Sequence, residues 1–295
     1  MMRRAALFMA GLLALGLPAL ASSIDLGQLI NTIKQAVTPT SLNDELEIGR
    51  DAAATLLGAC KPITNTAVQQ YVNKVGLWVA LQSDRPDLPW HFAVVDSDDI
   101  DAFAAPGGYV FLTRGLLLHM HNEAELAGVL GHEITHVVLK HHLDELQRAA
   151  RLDLASQAAQ AEMARNGHST EIADRVAGAT RNLYSKGLDK DDEFDADRAG
   201  VVLAARAGYD PYGLLAVLQT LQGVDPKSGS MQLLLATHPT PADRIKALSA
   251  AMQAGHMDQY GKQQEGQERF AAVIKTLIPA KPTSASTAPA ASTKH

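Results

Sequence analysis

The chain has 295 residues, and 26 Lys and Arg against 32 Asp and Glu give a formal net charge of −6, with a pI of about 6.0. That balance argues against a nucleic-acid partner. Aromatic residues at 5% and abundant alanine favour a mostly helical α+β build over a sandwich or barrel, and the single cysteine, Cys60, excludes an intrachain disulfide framework.

Taken in chain order, the sequence opens with a leader. Arg3 and Arg4 precede the apolar run Ala5 to Leu17, and Ala19-Leu20-Ala21 makes an A-x-A site, which predicts cleavage after Ala21. The run is shorter than the roughly 20 apolar residues a membrane span needs. Residues 22–40 read as a linker. Cys60 lies too far downstream to carry a lipid beside the cleavage site and reads as a small buried hydrophobe near a helix end. The expected location is therefore the periplasm, without a lipid anchor; peripheral membrane contact stays open.

Ser41 with Asp44 predicts a capped helix over Leu42 to Leu57, closed by Gly58. A second amphipathic stretch, Thr66 to Leu81, ends in the breaker SDRPDLP. "WHFAVVD" predicts a strand, and "DAFAAPGGYVFLT" two short strands about a Pro106-Gly107-Gly108 turn. Asn122 with Glu125 opens a helix expected to continue to about Gln147. Residues 148–186 read as a helical hairpin broken at Asn166-Gly167-His168. After Gly187 a helix restarts through "DDEFDADRAGVVLAARAG", followed by a short helix in "DPYGLLAVLQTL". Thr240, with Pro241 in the first helical position, opens another. One domain is expected over 41–255, a helical extension over 256–278, and a disordered Pro/Ala/Ser/Thr-rich tail over 279–295.

The chemistry concentrates in "LAGVLGHEITHVVLKHH", Leu126 to His142. Apolar residues recur there with a helical period, and four residues are just over one turn, so His132 and His136 share a face. Glu133 lies about 100° round the same turn. This H-E-x-x-H spacing suits zinc on two neutral imidazoles, with a carboxylate beside it as general base. Gly131 permits close backbone approach. His119, His121, His141 and His142 read as solvated or helix-end residues, with room for one of them behind the site.

A third ligand is needed, and "DKDDEFDADRAG", Asp189 to Gly200, offers several carboxylates. Glu193 and Asp197 stand i,i+4, so that one can ligate while the other accepts a ligand histidine's free N–H; taken alone the cluster equally reads as a solvated acidic helix start, and it is the H-E-x-x-H lacking a third ligand that favours Glu193. Gly200, on the same face, allows that helix to pack closely. In "THPTPADR", His238 before Pro239 sits on a rigid turn. It is a candidate to stabilise the oxyanion or to occupy the zinc in a latent state, although a plain helix start also accounts for it. Arg244 is a candidate to anchor this loop or pair with a carboxylate of the Glu193 helix.

Together, His132-Glu133-Ile134-Thr135-His136, Glu193-Phe194-Asp195-Ala196-Asp197 and His238-Pro239 with Arg244 resemble the three signatures of the M48 metallopeptidases, the group of the Ste24 and HtpX enzymes. "DAFAAPGGYVFLTRGLL" is similar to that family's "NAFALPGG" segment, and "LNDELEIGRDAAATLL" to its opening helix. The resemblance spans Leu42 to Leu248. It implies a gluzincin-type fold with a small β-sheet against the active-site helix, one zinc per chain on His132, His136 and Glu193, Glu133 as base, and Asp197 behind the ligands. Asp101 departs from the family's usual asparagine. Membrane-integral members have several spans; this chain resembles the soluble exported branch, near the periplasmic outer-membrane quality-control members but without their long repeat domain.

The expected function is zinc-dependent cleavage of unfolded or misassembled envelope proteins, with the outer-membrane assembly machinery as a partner. The strand after Gly107 and Gly108, Tyr109 to Thr113, is expected to be an edge that binds substrate backbone by strand addition, with Tyr109 and Val110 in the substrate site; residues 148–186 are a candidate lid or partner surface. The alternatives are a chaperone-like adaptor with latent hydrolysis, and a zinc hydrolase of non-peptide amides.

Overall fold

The computed structural model describes residues 40–149, 151, 172–260 and 263–277. The leader, the linker up to residue 39, the break at Asn166-Gly167-His168 and the tail from residue 279 lie outside the described residues.

Two capped helices come first. In α1 (Leu42–Ala59), the Ser41 hydroxyl accepts from the Asp44 N–H at 3.2 Å and donates to the Asp44 carboxylate at 2.7 Å. The helix runs through Gly58 and stops where Cys60 turns extended, two residues later than the glycine suggested. In α2 (Thr66–Ala80), capped by Asn65, the buried face is Val68, Val72, Val75 and Val79, an alternation of four and three that lays one apolar stripe on the core.

The sheet has three strands, β1 (His91–Val95), β2 (Ala102–Ala105) and β3 (Tyr109–Thr113), in the order β1-β3-β2. β2 and β3 form an antiparallel hairpin with Phe103 opposite Phe111, and β1 runs parallel on the other side of β3 with His91 opposite Tyr109. The turn needs Gly107 and Gly108 at φ 76° and 103°. This overturns one expectation: β3 is the central strand, paired on both sides, so Tyr109 and Val110 cannot offer a free edge to a substrate. Its "YVFLT" is almost wholly buried, the continuous apolar run of an enclosed strand. The outer side of β1 is covered by Pro62 and Ile63 and by Gln69, so among the described residues the open edge belongs to β2.

After the short α3 (Arg114–Leu118), Asn122 caps α4 (Glu123–Val138) by accepting from Glu125 N–H at 2.8 Å. Every residue from Glu123 to Val137 is buried, which makes α4 the axis of the molecule. It is also shorter than expected: Lys140, at φ 64°, breaks the chain direction, and a separate helix, α5, covers residues 141–149. Then come α6 (Ile172–Lys186) and α7 (Lys190–Arg206). α7 lies directly on α4, because a Cβ on Gly131 would stand 2.5 Å from the Gly200 carbonyl oxygen, and one on Gly200 would stand 2.6 Å from His132 N. No side chain fits between these backbones.

The remainder comprises α8 (Gly213–Gln222), α9 (Gln232–Thr237), α10 (Pro241–Ala254) and α11 (Gln267–Ile274). Thr240 caps α10 by accepting from Asp243 N–H at 3.2 Å, with Pro241 in the first turn. Phe270 and Ile274 of α11 join the same core as α2 and α4. No helix among the described residues is long and apolar enough to cross a membrane.

Candidate active site

α4 sets His132 and His136 one turn apart, edge to face, with their Nε2 atoms 3.1 Å from each other. The first turn of α7 brings Glu193 to them: one carboxylate oxygen lies 3.6 Å from His132 Nε2, the other 3.6 Å from His136 Nε2. Ligand atoms of these three residues all fall within 4.8 Å of one another, and all three residues are buried. One turn along α7, the Asp197 carboxylate accepts the His132 Nδ1–H at 2.9 Å. Arg244 of α10 grips Asp197 with two hydrogen bonds, Nη2 to Oδ1 at 2.6 Å and Nε to Oδ2 at 3.0 Å. Asp197 thus fixes the ring of His132, and Arg244 fixes Asp197.

Glu133 lines a cavity of about 230 Å³ together with Glu193 and His238; its lining also includes the apolar Leu56, Cys60, Phe103, Leu183, Leu188 and Leu233. His238, at the end of α9, stands 2.9 Å by Nδ1 from the Thr237 hydroxyl, which is also within hydrogen-bond reach of the Leu233 carbonyl. With the hydroxyl donating to Leu233, the neutral ring carries its proton on Nδ1 and turns its Nε2 lone pair into the site, 3.6 Å from Glu193; with the hydroxyl donating to Nδ1, Nε2 carries the proton.

The β2 edge runs beside this centre. Thr113 N–H donates to the Asp101 carbonyl, and ladder bonds alternate, so Phe103 and Ala105 face β3 while the backbone groups of Ala102 and Ala104 point outward. Ala102 lines the cavity. The Tyr184 hydroxyl of α6 donates to the outward Ala104 carbonyl. By contrast, Gly107, Gly108, Tyr109 and Val110 line none of it; Gly107 N–H goes to Glu45 instead.

Burial dominates the electrostatics. It pushes Glu133 well above the usual carboxylate range, helped by the charges of Glu193 and Asp101. Burial also lifts Glu193 to about 8, against the pull of Arg244, and Asp101 to about 8. Burial, then the charge of His132, holds His136 well below the imidazole range; burial, then Arg244, lowers His132 and His238. Asp197 moves the other way: burial would raise it, but Arg244 and the His132 N–H hold it well below the carboxylate range.

The donors fit a divalent cation. The buried Glu193 Oε2 has no hydrogen-bond partner, and the imidazoles are held neutral with their Nε2 atoms converging. Two nitrogen ligands at about 2.0–2.1 Å on a tetrahedral ion stand about 3.3 Å apart, close to the 3.1 Å observed.

Four residues near the centre were not singled out from sequence as site residues. Asp101, with Oδ1 buried and unpartnered, lies 3.9 Å from His238 Nδ1. His141 touches His136, His142 stacks on Tyr184, and Tyr184 reaches β2. For Asp101 the signal was its place in the strand motif; for Tyr184 there was none.

The sequence profile of Peptidase family M48 matches residues 66–252. The chain is 30% identical over 240 residues to the Beta-barrel assembly-enhancing protease of Escherichia coli (strain K12), covering 77% of this chain and 47% of that protein. It is 29% identical over 178 residues to the Metalloprotease YcaL of the same strain, covering 60% of this chain and 67% of the relative. With the Mitochondrial metalloendopeptidase OMA1 of Schizosaccharomyces pombe it shares 26% over 182 residues, 60% of this chain and 51% of the relative. The chain spans about half the length of the first of these relatives. The family match covers more than half of the chain, in a mostly helical fold with a small sheet: the chain belongs to peptidase family M48.

Proposed function

We propose that this chain is a zinc-dependent endopeptidase of the cell envelope, cleaving unfolded or misassembled proteins, with one zinc held by His132, His136 and Glu193. The observation that carries the reading is the convergence of three buried donors within 4.8 Å, one carboxylate oxygen among them lacking any partner. When bound, zinc supplies a Lewis acid that brings a water's pKa toward neutrality and polarises the scissile carbonyl. Glu133 takes a proton from the attacking water and delivers it to the leaving amine nitrogen as the C–N bond breaks; its raised pKa suits both halves of that transfer. Asp197 and Arg244 keep His132 in the tautomer that presents Nε2 to the ion. His238 donates to the oxyanion from Nε2 as the neutral tautomer in which Nδ1 accepts from the Thr237 hydroxyl.

The outward backbone groups of Ala102 and Ala104 on β2 take the substrate as an added strand. Such binding reads the peptide backbone rather than side chains, which suits substrates defined by being unfolded. The envelope location follows from the leader reading, with residues 1–21 removed, 22–40 a linker, 41–255 the catalytic domain, 256–278 an extension and 279–295 a tail. The similarity to the Beta-barrel assembly-enhancing protease of Escherichia coli supports outer-membrane assembly as the setting.

The test is zinc content and casein cleavage on wild type, Glu133→Gln and Glu193→Ala. One zinc per chain is expected in wild type. Glu133→Gln should keep the metal and lose at least about 10²-fold in kcat, and Glu193→Ala should be metal-poor. Metal-loaded wild type that cleaves no unfolded protein overturns the reading.

One observation favours a second reading, a latent protease acting as a chaperone-like adaptor: His238 Nε2 already faces Glu193. His238→Ala separates the two. An oxyanion role predicts a kcat lower by about 10²–10³-fold; a latency role predicts a higher one.

A further inference from the structure

We propose that His141 is a positioning residue for His136, its Nδ1 lone pair accepting the His136 Nδ1–H and holding that imidazole with Nε2 toward Glu193. The inference rests on the metal centre proposed above. The two Nδ1 atoms are 3.0 Å apart, with the rings nearly perpendicular and their centroids 5.1 Å apart. A neutral imidazole has one donor and one acceptor nitrogen. His136 Nε2 faces the other donors at 3.1 and 3.6 Å, so its proton sits on Nδ1 and goes to His141. The His141 proton then sits on Nε2, directed at Asp192 Oδ1 at 3.7 Å. Asp192 precedes Glu193 on α7, so that helix backs the second histidine through an intermediary, as it backs the first directly through Asp197.

This contact exists only because the helix breaks. In an uninterrupted α-helix the fifth residue on is about 140° away round the axis and faces elsewhere. Here α4 stops at Val138, Lys140 takes φ 64°, and the chain re-enters helix with Asp144 N–H on the Lys140 carbonyl. That reversal swings His141 back over His136. The left-handed conformation is one a lysine rarely adopts, and a polar network holds it. Lys140 Nζ lies 3.5 Å from Glu45, and Arg85 joins Glu45 at 2.8 Å to the Val137 carbonyl at 3.2 Å. The neighbouring His142 does not compete, since it stacks on Tyr184 and its Nδ1 has no partner.

The experiment uses the full chain and measures zinc Kd by chelator competition, the visible spectrum of the cobalt-substituted protein, and the melting of metal-free protein. His141→Phe keeps an aromatic ring but has no acceptor; the side-chain carbonyl of His141→Gln can accept the same N–H. His141→Phe is expected to weaken zinc binding by about 10–100-fold and shift the cobalt spectrum, with His141→Gln recovering most of both. Zinc affinity of His141→Phe within about twofold of wild type overturns the inference. So does a His141→Gln as weak as His141→Phe with an equal loss in metal-free melting, which makes the role packing. Wild type that binds no zinc overturns the metal centre itself, a result distinct from either.

Discussion

The side chains around His132 impose a pH signature. Glu193 and Asp101 are both raised to about 8. A raised pKa in the folded state stabilises fully below the unfolded value, near 4, and that stability is lost as pH rises through about 8. The depressed histidines act in the opposite sense: their contribution is complete above about 6.5 and lost as pH falls. Between about pH 6.5 and 8 the carboxylates therefore dominate, and a metal that needs Glu193 ionised competes with its proton. The rise in Tm on adding zinc should grow across that interval; a rise that shrinks contradicts this account of Glu193. Asp197→Ala leaves Arg244 buried and unpaired, which costs about 3–5 kcal/mol, read as a lower denaturant midpoint. At this scale the sequence was legible where chemistry follows helical period: His132 with His136, and Glu193 with Asp197, are each one turn apart. Asp101 and Tyr184 were not, because they reach the centre from a strand and a helix whose placement depends on long-range packing.

Among elements, the α4–α7 contact decides whether the donors meet. A methyl group at Gly200 must displace a backbone atom rather than rotate aside a side chain. Gly200→Ala should destabilise by about 1–3 kcal/mol and weaken zinc binding as Glu193 retreats, both seen in one metal titration followed by melting. On the opposite wall, the Tyr184 hydroxyl occupies a carbonyl that an added strand would use. Tyr184→Phe should lower KM for an unfolded substrate by about two- to tenfold, since a single neutral hydrogen bond contributes about 0.5–1.5 kcal/mol; an unchanged KM places substrate elsewhere. Element boundaries were readable where a cap announces them, as at Ser41, Asn122 and Thr240. The break at Lys140 was not: no Gly or Pro marks it, and the groups that hold it, Glu45 and Arg85, are remote in sequence. Nor was the strand order, because an apolar "YVFLT" fits an edge or a centre until its neighbours are known.

For the molecule as a whole, the N-terminus of α4 is tied to the C-terminal helix. Glu123 receives the Tyr71 and Tyr209 hydroxyls at 2.5 and 2.9 Å and Arg269 Nη2 at 2.8 Å. Phe270 is only 2% exposed, so Phe270→Ala should cost about 3–5 kcal/mol, measurable as a fall in Tm of the whole chain. Composition announced a mostly helical protein, but not that residues beyond 255 would contribute to its core, since six of the seven residues that precede Phe270 in "QQEGQERF" are polar or charged. The donors themselves come from two helices, and His136 and Glu193 are 57 residues apart along the chain (193 minus 136). A bound ion therefore closes a wide ring of polypeptide, and the entropy of closing such a ring grows only logarithmically, by about 0.6 kcal/mol for each doubling. Added or removed length between the two donors thus changes the entropy of closing the ring little, as long as the segments that carry His141 and Tyr184 keep their places against the site.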